Sequence, residues 1–208
     1  MSITLHYFDL YARAEPIRVI LNYRGLRYDE RLYSFQEWPS IKDQFEFQEL
    51  PCLEIDGLKL VQSASITKYL CQKLGYSFKD PYLNYLTCSL VDVRDDFITK
   101  KIQLCWHEKN PEGWIDWIRN DFSHILKAIE RRYKHNGETG FFVGNSPSVA
   151  DFVMFVMLHD QFLREKVSEK MRPILESAAP KLIEFVESFK NSSETLVNYL
   201  SNRPERDF

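Results

Sequence analysis

Four short features in the first third of the chain carry residue types that do chemistry. Tyr7 closes a β-prone run (SITLHYF, residues 2–8), and the ends of strands in open α/β sheets are where ligands bind. Taken singly, a tyrosine at such a place is more often structural. Arg13 stands at the start of the next helix, where an arginine is ordinarily a surface charge. Leu50-Pro51 follows a loop and heads a strand, a usual place for an edge or turn proline. A cis bond there would instead turn the backbone of Leu50 outward, ready to pair with an extended peptide. Gln62-Ser63 precedes a helix. A serine N-cap is common, and the exposed N–H groups of the same helix start also bind a carboxylate. Each feature has a structural reading of its own; in this order and on one fold they form a set.

The elements that must position these residues can be read from periodicity. Residues 2–8 alternate as a first strand. Residues 13–24 put Ile17, Ile20 and Leu21 on one helical face, with Pro16 in the first turn and Gly25 as the stop. Residues 27–33 read as a second strand, which makes a parallel βαβ unit. A short helical piece follows, then LPCLEIDGLKLVQS, where Asp56-Gly57 between two apolar runs signals a hairpin. A helix from Ser63 to about Gly75 faces Ile66, Tyr69, Leu70 and Leu74 inward. The order βαβ, loop, ββα predicts a thioredoxin-like α/β domain over residues 1–78. Lys79-Asp80-Pro81 reads as a linker, and residues 82–208 predict an all-α domain. Its helical patterns cover 82–107, 114–135 and 171–190. Another helix starts at Ser148, with Asp151 three positions on as in a capping box.

Composition narrows the function classes. Hydrophobic residues are 44% and charged residues 27% of the chain, which suits a globular protein with a real core. The net charge of −3 and the scattered basic residues point to no nucleic-acid or membrane partner. Residues 1–20 include Asp9, Arg13, Glu15 and Arg18, so they hold no signal-peptide apolar core. No run approaches the ~20 apolar residues of a membrane span, and the expected location is the cytoplasm. Cys52, Cys71, Cys88 and Cys105 show no CxxC spacing, so reduced thiols are expected and a zinc site is not.

The stretch YFDLYARAEPIRVIL, then Trp38 and Lys42, then LPCLEIDG and QSASITKYL, with GNSPSVADF further on, resembles the cytosolic glutathione transferases over essentially the whole chain. Tyr near the N-terminus in place of Ser or Cys, together with VDVRDDF and YLSNRP, is most similar to the sigma class. The resemblance implies a transferase that uses glutathione as co-substrate, without a metal, on apolar electrophiles or peroxides. It implies that Tyr7 hydrogen-bonds the glutathione sulfur and that Arg13 adds a positive field. A free thiol has a pKa of about 8.5, and lowering it by about two units takes about 2.7 kcal/mol. One hydrogen bond to a charged sulfur is worth about 1.5–3 kcal/mol, so a single hydroxyl suffices in principle. By the same resemblance, Gln62 and Ser63 take the γ-glutamyl carboxylate, and Leu50 before Pro51 pairs with the cysteinyl portion. Trp38 and Lys42 reach the glycine carboxylate, and Gln48 and Glu49 lie beside the ligand backbone. Asp96 crosses a homodimer interface to the γ-glutamyl amine, and Phe47 occupies the place of an aromatic that some classes insert into the partner. The second-substrate pocket falls to Phe8, Tyr11, Ala12, Trp106 and the C-terminal Phe208.

Five positions sit less simply in this pattern. The family usually has Gly where this chain has Ala12, and Gln or Lys where it has Glu49, a negative charge near an anionic ligand. Asp92, Asp95 and Asp96 fall on one helical face, with Arg94 expected to face elsewhere. That face reads as a solvated acidic surface, as the source of the dimer-crossing carboxylate, or as a divalent-cation site between subunits. Beside the transferase reading stand a glutathione-dependent prostaglandin isomerase, a non-catalytic carrier of apolar ligands, and a structural protein such as the lens crystallins of the sigma class.

Overall fold

The computed structural model describes residues 2–137 and 139–206. The chain divides into two compact units, one of residues up to Gly75 together with the segment from Ser193 onward, the other Tyr76–Ser192.

The first unit is a four-stranded mixed sheet with helices. Strands β1 (Ile3–Phe8), β2 (Asp29–Tyr33), β3 (Cys52–Ile55) and β4 (Leu58–Val61) lie in the order β2-β1-β3-β4. The pair β1–β2 is parallel, with Tyr7 opposite Leu32, and β1–β3 and β3–β4 are antiparallel. The β3–β4 hairpin closes at Ile55↔Leu58 over Asp56 and Gly57, at φ 51° and 80°. Positive φ at both central residues is what a two-residue turn needs to match strand twist. Helix α1 (Glu15–Tyr23) buries Ile17, Val19, Ile20 and Leu21, and carries its proline in the first turn. After the short helix α2 (Trp38–Ile41), α3 (Ser63–Leu74) buries Ile66, Thr67, Leu70 and Cys71 and ends at Gly75, φ 84°. The inward face is therefore turned from the expected one: Tyr69 and Leu74 are half-buried, and Thr67 and Cys71 take the interior places.

In the second unit α4 (Pro81–Lys101) starts on Asp80, whose carboxylate accepts from the Tyr82 and Leu83 N–H groups. It runs on as a π-helical stretch, Ile102–His107. Helices α5 (Pro111–Trp117), α6 (Ser123–His135), α7 (Val149–Leu158), α8 (Glu165–Ala178) and α9 (Lys181–Asn191) follow. Every residue of α7 is buried, the mark of a central helix that is apolar all round. Its Phe152 and Phe155 pack against Phe189, and Phe185 links Phe189 to Phe142.

Sequence patterning places residues 82–208 together in one helical domain. The structure groups the last helix, α10 (Glu194–Asn202), and the tail after it with the first unit. The cause is packing and charge. Helix α10 lies against α1 with Leu196 fully buried, and Arg203 and Arg206 enter ion pairs with Glu15 and Glu30.

Candidate active site

A cavity of about 350 Å³ opens on the first unit at the ends of β1 and α3. Its lining brings together residues far apart in sequence: Phe8 and Arg13 after β1, Trp38 from α2, Gln48, Glu49, Leu50 and Pro51 from the loop before β3, and Gln62 and Ser63 from the β4–α3 junction. All were singled out from the sequence. The Leu50–Pro51 peptide bond is cis, the condition attached above to an outward-turned Leu50. The volume is that of a small-ligand pocket, typically about 300–1,000 Å³.

Tyr7 is not among the lining residues; it is almost fully buried, and its hydroxyl oxygen accepts the backbone N–H of Arg13, which does line the cavity, at 3.2 Å. The turn between them runs through Ala12, in a 3₁₀ turn Ala12–Ala14 at φ 33°. A left-handed backbone disfavours a Cβ by about 1–2 kcal/mol, which explains physically why glycine suits this position. The turn is anchored from the α1 side. Arg18, fully buried, donates to the Leu10 carbonyl at 2.8 Å, to Glu30 at 2.6 Å and to Glu15 at 3.2 Å. Its guanidinium carbon lies 5.8 Å from the centre of the Tyr7 ring. Burial works against its charge, but Glu15 and Glu30 outweigh this and raise its pKa, so it is a fixed cation.

The opposite wall is the start of α3. Ser63 was read as a candidate N-cap; the structure instead makes it the first helical residue, with Gln62 as N-cap at φ 67° and no side-chain cap bond. The first-turn N–H groups of α3 thus face the cavity end without a capping side chain, the arrangement that suits an anion. The Gln62 amide nitrogen donates to a carboxylate oxygen of Glu49 at 3.0 Å. Glu49 therefore lines the cavity while staying exposed to solvent.

Other expected residues are placed differently. Lys42, half-buried in a 3₁₀ turn after α2, is outside the cavity lining. Tyr11, expected to line a second-substrate pocket, is instead only 2% exposed. Its hydroxyl donates to the Pro204 carbonyl at 2.6 Å, and Arg203 covers its ring at 4.3 Å. In the second unit Trp106 is 38% exposed in the π-helical stretch, with the Lys109 ammonium 4.9 Å from a ring centre. Asp96 and Asp92 are exposed on α4, but Arg94 does not face away from the cluster: its Nη1 lies 3.1 Å from Asp95. Among the described residues no three His, Cys, Asp or Glu side chains converge as a metal site. Phe208 lies outside the described residues.

Two participants escape sequence reading. Phe35 stacks on Phe8 with ring centres 4.5 Å apart, extending the cavity's aromatic wall; its one signal is an aromatic in the otherwise polar stretch before Trp38. The second is the buried network beneath the Tyr7–Arg13 turn. Arg203 meets Glu15 at 2.6 Å, the Tyr199 hydroxyl donates to Glu15 at 2.8 Å, and Arg206 meets Asp9 at 2.7 Å and Glu30 at 3.0 Å. Nothing local in sequence pairs residues nearly two hundred positions apart.

A four-stranded mixed sheet unit followed by a helical unit defines the class of fold, and comparison makes the assignment. Residues 3–72 match the glutathione S-transferase N-terminal domain and residues 95–203 the glutathione S-transferase C-terminal domain. The chain is 33% identical to hematopoietic prostaglandin D synthase of Gallus gallus over 71% of its own length and 73% of that protein's. Among solved structures it superposes on monomeric Na-GST-3 of Necator americanus with TM-score 0.85 at 26% identity, covering 100% of both chains. The sigma class transferase of Fasciola hepatica shares the fold, with TM-score 0.84 at 23% identity over 100% of this chain and 99% of the other. The chain belongs to the glutathione S-transferase family. Within it, the protein is of the sigma-like kind.

Proposed function

We propose that the cavity binds glutathione and that the Tyr7 hydroxyl, donating to the sulfur, holds it as the thiolate that attacks an apolar electrophile. The observation that carries this reading is the Tyr7–Arg13 contact of 3.2 Å at the cavity edge. An N–H donating to the phenolic oxygen polarises the O–H and strengthens it as a donor. The Arg13 side chain, which lines the cavity, adds positive potential. The α3 start with Ser63 and Gln62 takes the γ-glutamyl carboxylate, Leu50 pairs its backbone with the cysteinyl portion, and Trp38 flanks the glycyl end. In the reaction the thiol proton passes to water, the sulfur forms a bond to the electrophilic carbon, and the leaving group departs with its electron pair. Phe8 with Phe35 offers an aromatic surface for the electrophile. The four cysteines are free thiols, which supports action in the reducing cytoplasm.

The same reading gives a homodimer in which Asp96 approaches the partner's ligand. Support comes from Phe47, 63% exposed, and from a groove in the second unit where Tyr82, Leu86 and Phe142 stand with Arg131, Arg132 and His135. Light scattering at the dimer mass is expected, and a monomer would remove both assignments. A narrower activity, isomerisation of a prostaglandin endoperoxide, is favoured by the named synthase among its relatives, and its test is product analysis with that endoperoxide.

The decisive experiment is conjugation of glutathione to a generic electrophile by wild type and Tyr7→Phe. Turnover in the variant should fall about 10–100-fold, matching one lost charge-assisted hydrogen bond, with glutathione still bound. Unchanged turnover removes Tyr7 from the role. Wild-type protein that binds glutathione without turnover is a carrier.

A further inference from the structure

Glu49 puts a negative charge in a cavity assigned to a ligand with two carboxylates, and this needs a reason. The cavity lining holds one guanidinium, Arg13, and one carboxylate, Glu49. Glu49 lines the cavity and remains exposed, with its Oε2 taking the Gln62 amide N–H at 3.0 Å. That bond ties the loop before β3 to the residue that caps α3. It ties a carboxylate acceptor to the residue next to Ser63, the first of a helix whose start has no side-chain cap bond. An acceptor and a set of backbone donors in neighbouring places suit a group that carries both charges on one carbon. A free α-amino-acid end is such a group: its carboxylate meets the helix start, and its ammonium meets the acceptor. A lone acid or phosphate would have the donors but would face Glu49 with like charge.

We infer that Glu49 is a specificity residue for the ligand's α-ammonium group, so that one chain by itself recognises both charges of the γ-glutamyl end. The inference rests on the glutathione reading above. It assigns Glu49 a favourable contact, where its charge alone would weaken binding. It also separates recognition of the amine from any carboxylate supplied by a second subunit. The Gln62 bond fits this role, because it orients the acid and leaves its other oxygen for the ligand.

The test is a cycle in which both protein and ligand are changed. Calorimetric titration compares glutathione with its desamino analogue, glutaryl-cysteinyl-glycine, on wild type and Glu49→Gln. Gln is nearly isosteric and keeps an oxygen for the Gln62 amide. Wild type should bind glutathione about tenfold more tightly than the desamino analogue. In Glu49→Gln that preference should vanish, through loss of glutathione affinity alone. Equal weakening of both ligands would make Glu49 a prop for Gln62, and tighter binding of both would make it a plain repulsive charge; either overturns the inference. Wild type that binds the two ligands equally also overturns it while leaving the glutathione reading intact. Wild type that binds neither overturns both.

Discussion

Around the cavity the backbone is held in conformations that side-chain-bearing residues seldom adopt: Ala12, Gln48 and Gln62 stand at φ 33°, 50° and 67°. The α3 start they flank has no side-chain cap. The start of α7 in the second unit is built the opposite way. Asp151, fully buried, accepts the Ser148 N–H at 2.8 Å, the Ser148 hydroxyl at 2.7 Å and the Phe142 N–H at 2.8 Å. Both places are helix N-termini with free donors to satisfy. At α7 the chain satisfies them itself, so the helix serves folding. At α3 no side chain does so, and in the proposed reading a ligand carboxylate takes that place. Unfavourable backbone persists where surrounding structure over-determines it, and the Arg18 network beneath the Tyr7–Arg13 turn supplies that support.

Removing the support should have the largest effect. Arg18→Met leaves buried Glu15 with Arg203 and Glu30 with Arg206 as their remaining cations, and is expected to cost about 3–5 kcal/mol in chemical denaturation. A loss below about 1 kcal/mol would show that the turn is held by other means. Asp151→Ala removes the α7 cap and three buried hydrogen bonds, with an expected cost of about 2–4 kcal/mol. An equivalent cap deletion at α3 is not possible, since no side chain caps it, and there stability should respond to ligand instead. The smallest effect has the opposite sign. Ala12→Gly relieves the left-handed strain, offset in part by added freedom of the unfolded chain, for a gain of about 0.5–1 kcal/mol. Thermal melting reads it directly, and a lower melting temperature would mean that the Ala12 methyl packs to more advantage than the backbone loses.

Most elements of both units were legible because each is decided locally. The strand alternation up to Phe8, the Asp56-Gly57 hairpin, the Gly75 stop and the Ser148–Asp151 capping box each lie within a few residues. The cavity was legible residue by residue for a different reason: Phe8, Arg13, Pro51 and Ser63 each lie at or beside an element end, and the sheet order brings those ends together. Three features did not show. Gln62 as N-cap depends on a backbone angle that its residue type does not announce. The rotation of α3 toward Thr67 and Cys71 depends on which neighbours it meets. The grouping of α10 and the tail with the first unit depends on ion pairs between Arg203 or Arg206 and residues near the N-terminus, and the burial of Tyr11 follows from it.

The central claim is that one hydroxyl at the cavity edge sets the acidity of the bound thiol. Ultraviolet titration of the thiolate on the glutathione-loaded protein measures it without turnover, in wild type and Tyr7→Phe. The expected thiol pKa in wild type is about two units below the ~8.5 of the free group, and in the variant it should return by about 1–2 units. The same depressed value in both proteins would contradict the assignment of Tyr7.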